Sequence, residues 1–205
     1  MIIERGEKFG AWCGLAGVFL FGPTLLAADF LPLPPATLST EQVVALYQGN
    51  AMGVRTAVIA SLYVAGLFTA FIAALSAQMR RIPGARALSY IQMLCGLLGT
   101  VPFVLTALLW AAAAFRIDRA PETIVLLNDM AWFSFVMVAP PVMIQLIVIG
   151  IAIISDDGEK PVYPRWLAYL SFWTALSLIA DPLACIFKTG PFAWNGLLVF
   201  WLPFG

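Results

Sequence analysis

The stretch TAVIASLYVAGLFTAFIAALSAQM, residues 56–79, contains no charged side chain and decides the fold class. It is longer than the roughly 20 residues that a helix needs to cross about 30 Å of hydrocarbon. A segment in lipid must satisfy its own backbone hydrogen bonds, so a helix is the structure expected here. Further apolar runs cover 9–28, 87–115, 130–155 and, interrupted by an aspartate, 166–187. The sequence therefore predicts five transmembrane helices.

The composition supports the same class. Of 205 residues, 62% are hydrophobic and 11% are charged, whereas soluble domains are about 45–50% apolar and about 25% charged. A chain of this size cannot hide so many apolar side chains from water. The net charge is zero, so no basic surface indicates nucleic acid. We expect an all-α, polytopic helical bundle that forms one integral membrane domain over residues 1–205, with the lipid bilayer as its main partner.

A sixth apolar segment, 194–205, is too short to cross a membrane. As a helix it rises only about 16 Å. We expect it to be either a truncated sixth helix or a re-entrant element, and we favour the truncated helix.

Lys and Arg residues predict the orientation. Seven lie in loops on the N-terminal side and four lie in the opposite loops, and the RRIPGAR loop carries three of the seven. Cytoplasmic loops are enriched in these residues. The N-terminus is therefore expected in the cytoplasm. Five tryptophans fall near the predicted span ends, as in an aromatic belt: Trp12, Trp110, Trp132, Trp166 and Trp194.

Two outer loops have similar sequences. TEQVVAL precedes Asn50, and PETIVLL precedes Asn128. Ser39 with Gln42 forms a candidate capping box, and Pro121 suits a first helical position. Each loop is therefore expected to contain a short interfacial helix. The three asparagines of the chain, including Asn195, each lie where an even-numbered span starts, a position that favours helix N-capping.

Several polar side chains are expected at the outer end of the bundle. Asp29 ends the first span, Asp129 starts the fourth, and Asp181 lies about 22 Å along the fifth. Ionisable residues at membrane depth are costly and are usually paired or functional. We hypothesise an outward-facing pocket that holds a small amphiphile or a lipid head group. Its candidate lining residues are Asp29, Arg55, Asn128, Asp129, Asp181 and Asn195.

Pro140 and Pro141 interrupt the fourth span near its middle. Proline removes a helical hydrogen bond and clashes with the preceding turn. Transporters build ligand sites from such breaks, but a proline bend also serves shape alone, and the sequence leaves both readings open.

The chain lacks the side chains of many catalytic sites. Without histidine it cannot form histidine-ligated haem, iron or zinc sites. Cys13, Cys95 and Cys185 lie on separate apolar segments and are expected as buried thiols. No cofactor or metal is expected. The span centres carry no charged residue, which argues against ion-coupled transport.

Two other functions remain open. The chain could be an accessory subunit of a larger membrane complex or form a homo-oligomer, because Gly10 and Gly14 form a GxxxG packing motif. It could also be an intramembrane enzyme in which Asp129 and Asp181 act as acid and base. The sequence favours a non-enzymatic role but names no ligand and no reaction.

The segments LNDMAWF and KTGPFAWNGLLVFW resemble a group of uncharacterised bacterial multi-pass membrane proteins with about six helices. The RR-containing loop and the AIISD end of the fourth span are similar as well. The resemblance covers most of the chain. It implies a location in the bacterial inner (plasma) membrane and the same topology, and it implies no mechanism. In that group the sixth helix continues to a full span, whereas this chain stops earlier.

Overall fold

A computed structural model describes residues 2–116 and 118–204, and this part of the chain consists of helices and turns without a strand. Its seven main helices are α1 Ile2–Ala27, α2 Thr40–Gly49, α3 Ala51–Met79, α4 Arg86–Phe115, α5 Pro121–Val136, α6 Ala139–Ile154 and α7 Trp166–Ser177. A 3₁₀-helix, Leu178–Cys185, continues α7. A π-helix, Leu197–Trp201, leads into the short α8, Leu202–Phe204.

Five helical segments are long and apolar enough to cross a membrane, as predicted. They are Arg5–Ala27, Ala51–Met79, Arg86–Phe115, Pro121–Ile154 and Trp166–Cys185. The fourth consists of α5 and α6, separated by a break at Met137 and Val138. Pro140 and Pro141 lie in the first turn of α6. A backbone N–H in the first turn has no partner within the helix, so the missing N–H groups of the two prolines cost no helical hydrogen bond. The predicted interruption of this span is thus confirmed.

The spans pack against one another in the order in which they follow in the chain. Helix α3 packs between α1 and α4, α4 contacts both α5 and α6, and α6 contacts α7. Many large apolar side chains on the outside of the bundle are exposed, among them Trp12, Phe19 and Tyr63. Such a surface suits a protein whose solvent is lipid. We call the end of the bundle that carries α2 the α2 side. The opposite end carries the loop between α3 and α4, residues 80–85, and we call it the loop-80 side.

The core at the α2 side is aromatic. Phe30, Trp110 and Trp132 are almost completely buried, and their ring centroids lie 4.7–5.4 Å apart. Contacts of this kind stabilise beyond simple area burial. The predicted aromatic belt is therefore wrong for Trp110 and Trp132, and also for Trp194, whose indole N–H donates to the Pro34 carbonyl at 2.8 Å. Trp12 and Trp166 are exposed, as a belt requires.

The two similar loops fold differently. Helix α2 is a separate short helix with the predicted capping box, since Ser39 Oγ accepts from the Gln42 amide and Gln42 Oε1 accepts from the Ser39 amide. The second loop does not form a separate helix. Its residues belong to α5, which begins at Pro121 and runs past Asn128 without a break. The predicted start of the fourth span at residue 130 is wrong for this reason.

The three cysteines are free thiols in different environments. Cys13 is buried and Cys95 partly so, in line with the expectation, but Cys185 is exposed. Cys185 is the last residue of the fifth span, and its Sγ donates to the Pro182 carbonyl at 3.1 Å.

The small-residue motif of α1 packs against α3 of the same chain. A Cβ atom at Gly10 would meet Ala74 Cβ and, at 2.9 Å, the backbone oxygen of Ala70. A Cβ at Gly14 would come within 2.7 Å of the Phe71 ring. These glycines therefore allow the two helices to approach closely.

Gly10→Ala is expected to destabilise the protein by about 1–3 kcal/mol, because the added methyl group overpacks a contact with backbone. A lower midpoint of thermal unfolding in detergent micelles would show it. Gly66→Ala is the matched control, since a Cβ there meets nothing within 4 Å. It should leave the midpoint unchanged or raise it slightly through helix propensity. Equal midpoints for both variants would contradict the close α1–α3 contact.

Candidate functional site

Asp29 and Asn50 together join the end of α1 to the start of α3. Asp29 has a positive φ of 58°, and the amides of Asp29 and Phe30 bond back to Leu26 and Leu25, which is the Schellman pattern of a helix end. Asn50 is the N-cap of α3 and accepts from the Gly53 amide, as predicted. Its Nδ2 donates to Asp29 Oδ2 at 2.6 Å. Asp29 therefore has a structural partner.

Arg55 also serves the fold. Its Nη2 donates to the Ala114 carbonyl at 3.1 Å, in the last turn of α4. A cation at this position bonds a free carbonyl and suits the negative end of the helix dipole.

Asn128 is not a helix cap, which corrects the sequence prediction. It is 3% exposed in the middle of α5. Its Oδ1 accepts from Tyr47 Oη and from Trp132 Nε1, both at 3.1 Å. Its Nδ2 donates to Asp129 Oδ1 at 3.2 Å. The side chain thus satisfies two buried aromatic donors and connects α2 with α5.

The environment of Tyr47 fits this buried network. Burial, and secondly the negative charge of Asp129, raise the pKa of Tyr47 above its ordinary value. Tyr47 therefore stays neutral and remains a hydrogen-bond donor. Asn195 lies outside this network, in a turn before the π-helix, whose N-cap is Gly196 instead. The N-cap prediction for Asn195 is wrong.

Asp181 differs from the other candidates because one of its oxygens has no partner. The residue is 3% exposed, and its Oδ1 makes no hydrogen bond to the part of the chain that the structure describes. It lies in the 3₁₀-helix Leu178–Cys185, directly before Pro182. Eight residues exceed the three or four that are usual for such a helix, and a long 3₁₀ stretch often marks a functional hinge or a strained sequence.

Asp181 lines a partly open cavity of about 270 Å³ between the helices. Four phenylalanines from α3, α4 and α5 form much of its wall: Phe68, Phe71, Phe103 and Phe135. The break between α5 and α6 borders it through Val138 and Ala139. Apart from Asp181, the polar side chains of the wall are Thr100, which donates to the Leu97 carbonyl, and Gln145. The site is an apolar cavity with a buried carboxyl group at one point.

The six candidate residues do not line this cavity together. Asp181 is the one of them in its wall. Asp29 lines a separate surface depression beside α2, and the two linings share no residue. Asp129 accepts from Asn128, and no described contact joins it to Asp181. The structure thus separates Asp181 from the other polar residues of the α2 side.

The walls of the cavity were not predicted from the sequence, although a signal for them exists. Gly96, Gly99, Thr100 and Phe103 follow the spacing i, i+3, i+4, i+7 and so lie on one face of α4. Small residues beside a phenylalanine on one helical face leave room against a neighbouring helix. Within the described residues, no group of three His, Cys, Asp or Glu side chains could hold a metal ion.

Comparison with known proteins gives no relative: no family model, no curated protein and no solved structure matches this chain.

Asn128→Ala is expected to lower stability markedly, because it leaves the hydroxyl of Tyr47 and the indole N–H of Trp132 buried without an acceptor. Each unsatisfied donor costs roughly 1–3 kcal/mol. The shift of the thermal unfolding midpoint in micelles measures this. In the background of Tyr47→Phe the same substitution should cost less, because one donor is already gone. A double-mutant cycle without coupling would contradict the network.

Proposed function

We propose that this protein binds a small amphiphile in the cavity beside Asp181. The polar end of the ligand carries a hydrogen-bond donor, best an amine, and its apolar part lies against the phenylalanines. The observation that carries the proposal is the unpaired Oδ1 of Asp181 at a cavity whose wall is otherwise almost apolar.

The carboxyl group of Asp181 supports a ligand with a donor. A charge within a membrane protein is costly unless it is paired, and an unsatisfied buried polar atom costs free energy as well. A ligand ammonium would supply both a counter-charge and a hydrogen bond. Such charge-assisted bonds are about twice as strong as neutral ones.

The size and walls of the cavity support an amphiphile rather than a large polar substrate. A volume of about 270 Å³ lies just below the roughly 300–1,000 Å³ that ligand pockets occupy. Such pockets combine apolar walls with a few polar groups that fix orientation. Here the aromatic rings would hold an alkyl chain and Asp181 would orient its head.

The rival hypotheses have less support. The GxxxG motif that favoured an accessory subunit packs against α3 inside the chain, so it no longer indicates a partner. The enzyme hypothesis needs Asp129 and Asp181 at one substrate, and Asp129 does not line the cavity. If the native protein purified with a stoichiometric partner and an empty cavity, the subunit hypothesis would replace ours.

We further propose that the protein resides in the bacterial inner membrane with its N-terminus in the cytoplasm. The Lys and Arg distribution supports this orientation.

Labelling of single cysteines tests the orientation. In a background without the native cysteines, Lys188→Cys should react with a membrane-impermeant maleimide on intact cells, and Pro83→Cys should react only after lysis. Both positions are exposed in the structure. The opposite pattern would reverse the topology.

Asp181→Asn tests the ligand site. In lipid nanodiscs, binding of octylamine should weaken by about 10- to 100-fold, since a hydrogen bond to a charged group contributes about 1.5–3 kcal/mol. Calorimetry measures the dissociation constants. The matched control is Asp129→Asn, which removes a carboxylate that lies outside the cavity, and it should leave octylamine binding within about twofold.

Octanol distinguishes the roles of charge and shape, because it has the same chain without the ammonium. Its binding should depend much less on the Asp181→Asn change. Equal octylamine affinity in the wild type and in Asp181→Asn would show that Asp181 does not hold the head group, and the proposal would fail.

A further inference from the structure

A second cavity lies on the loop-80 side of the first. Its volume is about 350 Å³, and it lies between α1 and α3 on one side and α6 and α7 on the other. Most of its wall is aliphatic, with Leu75, Leu146 and Ile149 among its residues. Like the first cavity it is suited to an alkyl chain.

The two cavities share a wall of two side chains, Phe71 and Gln145. The Gln145 amide lies directly over Gly96, where a Cβ would come within 2.7 Å of its Nε2. Glycine at this position therefore leaves the room that the glutamine side chain occupies. Phe71 and Gln145 both have rotatable side chains, so a small change of rotamer can connect the two cavities.

The length of the joined space can be read along α6. Its lining residues run from Ala139 to Gln145 in the first cavity and on to Ile153 in the second. At 1.5 Å per residue the first part is about 9 Å long and the whole about 21 Å. One lipid chain occupies half of a hydrocarbon layer of about 30 Å, which is about 15 Å. The first cavity alone is too short for such a chain, whereas the joined space can contain it.

The far end of the second cavity is polar, and its polar side chains are paired. Glu7 lines it and accepts from Arg81 Nη2 at 2.6 and 2.5 Å. Tyr163 also lines it and donates to Gln78 Oε1 at 2.6 Å. Burial raises the pKa of Tyr163 to about 12, so its hydroxyl keeps its proton. These paired groups have their own partners, whereas Asp181 at the opposite end has a free oxygen.

We propose that both cavities form one elongated site for a single-chain amphiphile of lipid-tail length, with its head group on Asp181 and its tail passing Gln145 into the second cavity. This inference rests on the proposed function and adds the chain length of the ligand. Gln145 is then the residue that determines which chain lengths fit.

Binding of two amines to the variant Gln145→Phe tests the inference in lipid nanodiscs. Hexylamine fits the first cavity and hexadecylamine requires both. For each amine, the dissociation constant of the variant is divided by that of the wild type. Partitioning of the amine into lipid affects both constants equally and therefore cancels in this ratio. We expect the ratio for hexadecylamine to exceed the ratio for hexylamine by about tenfold or more, because only the longer tail loses contacts with the second cavity.

Ile144→Phe is the matched control, because Ile144 neighbours Gln145 on α6 and is exposed on the outside of the bundle. It should change neither ratio by more than about twofold. Equal effects of Gln145→Phe on both amines, or no effect on either, would overturn the joined site.

Photolabelling of the wild type gives a second test that needs no variant to fold. Hexadecylamine with a diazirine at its terminal carbon should label peptides at Ile149 and Ile153, and unlabelled hexadecylamine should compete. Labelling confined to the first cavity would overturn the joined site and leave the amine site intact. If Asp181→Asn left the affinity for hexylamine unchanged, the proposed function itself would be refuted.

Discussion

The fold depends on one constraint: polar groups placed in hydrocarbon must find their partners inside the protein. Hydroxyls within the spans satisfy it locally, as Thr69 and Ser171 do by donating to carbonyls four residues earlier. Asn128 satisfies it across helices by accepting from two buried aromatic donors. A few buried atoms are exceptions, among them the Gln92 amide and Asp181 Oδ1. Asp181 is distinguished from Gln92 because it lines a cavity that a ligand can enter.

The same constraint explains how far the sequence predicts the fold. Charge-free runs longer than a bilayer is thick leave few alternatives to a spanning helix, and all five were found. Asn50 could be predicted as a cap because capping is local, within three residues of the helix start. Asn128 could not, because its role depends on Tyr47, which lies 81 residues away in the chain. Two helix-start signals compete there, and the earlier one, Pro121, begins the helix.

The candidate site, too, could be predicted from the sequence only in part. The spacing along each span places Asp29, Asp129 and Asp181 at related depths, but depth does not determine the direction in which a side chain points. That direction depends on how each helix is rotated against its neighbours, which mean hydropathy does not encode. Trp110 and Trp132 illustrate the point, since their position near the span ends predicts a belt and their rotation places them in the core. Asp181 faces a cavity for the same kind of reason.

The cavity itself arises from backbone irregularities at one level of the bundle. The α5–α6 break, the 3₁₀-helix that carries Asp181 and the Gly96–Gly99 face of α4 all border it. Regular helices pack their side-chain ridges into grooves and leave little space. Here one span is interrupted, another is narrowed into a tighter helix, and a third lacks side chains at two positions. Because several segments create the space together, it is a property of the fold rather than of one small side chain, and substitutions in its wall should change which ligand fits before they remove the cavity.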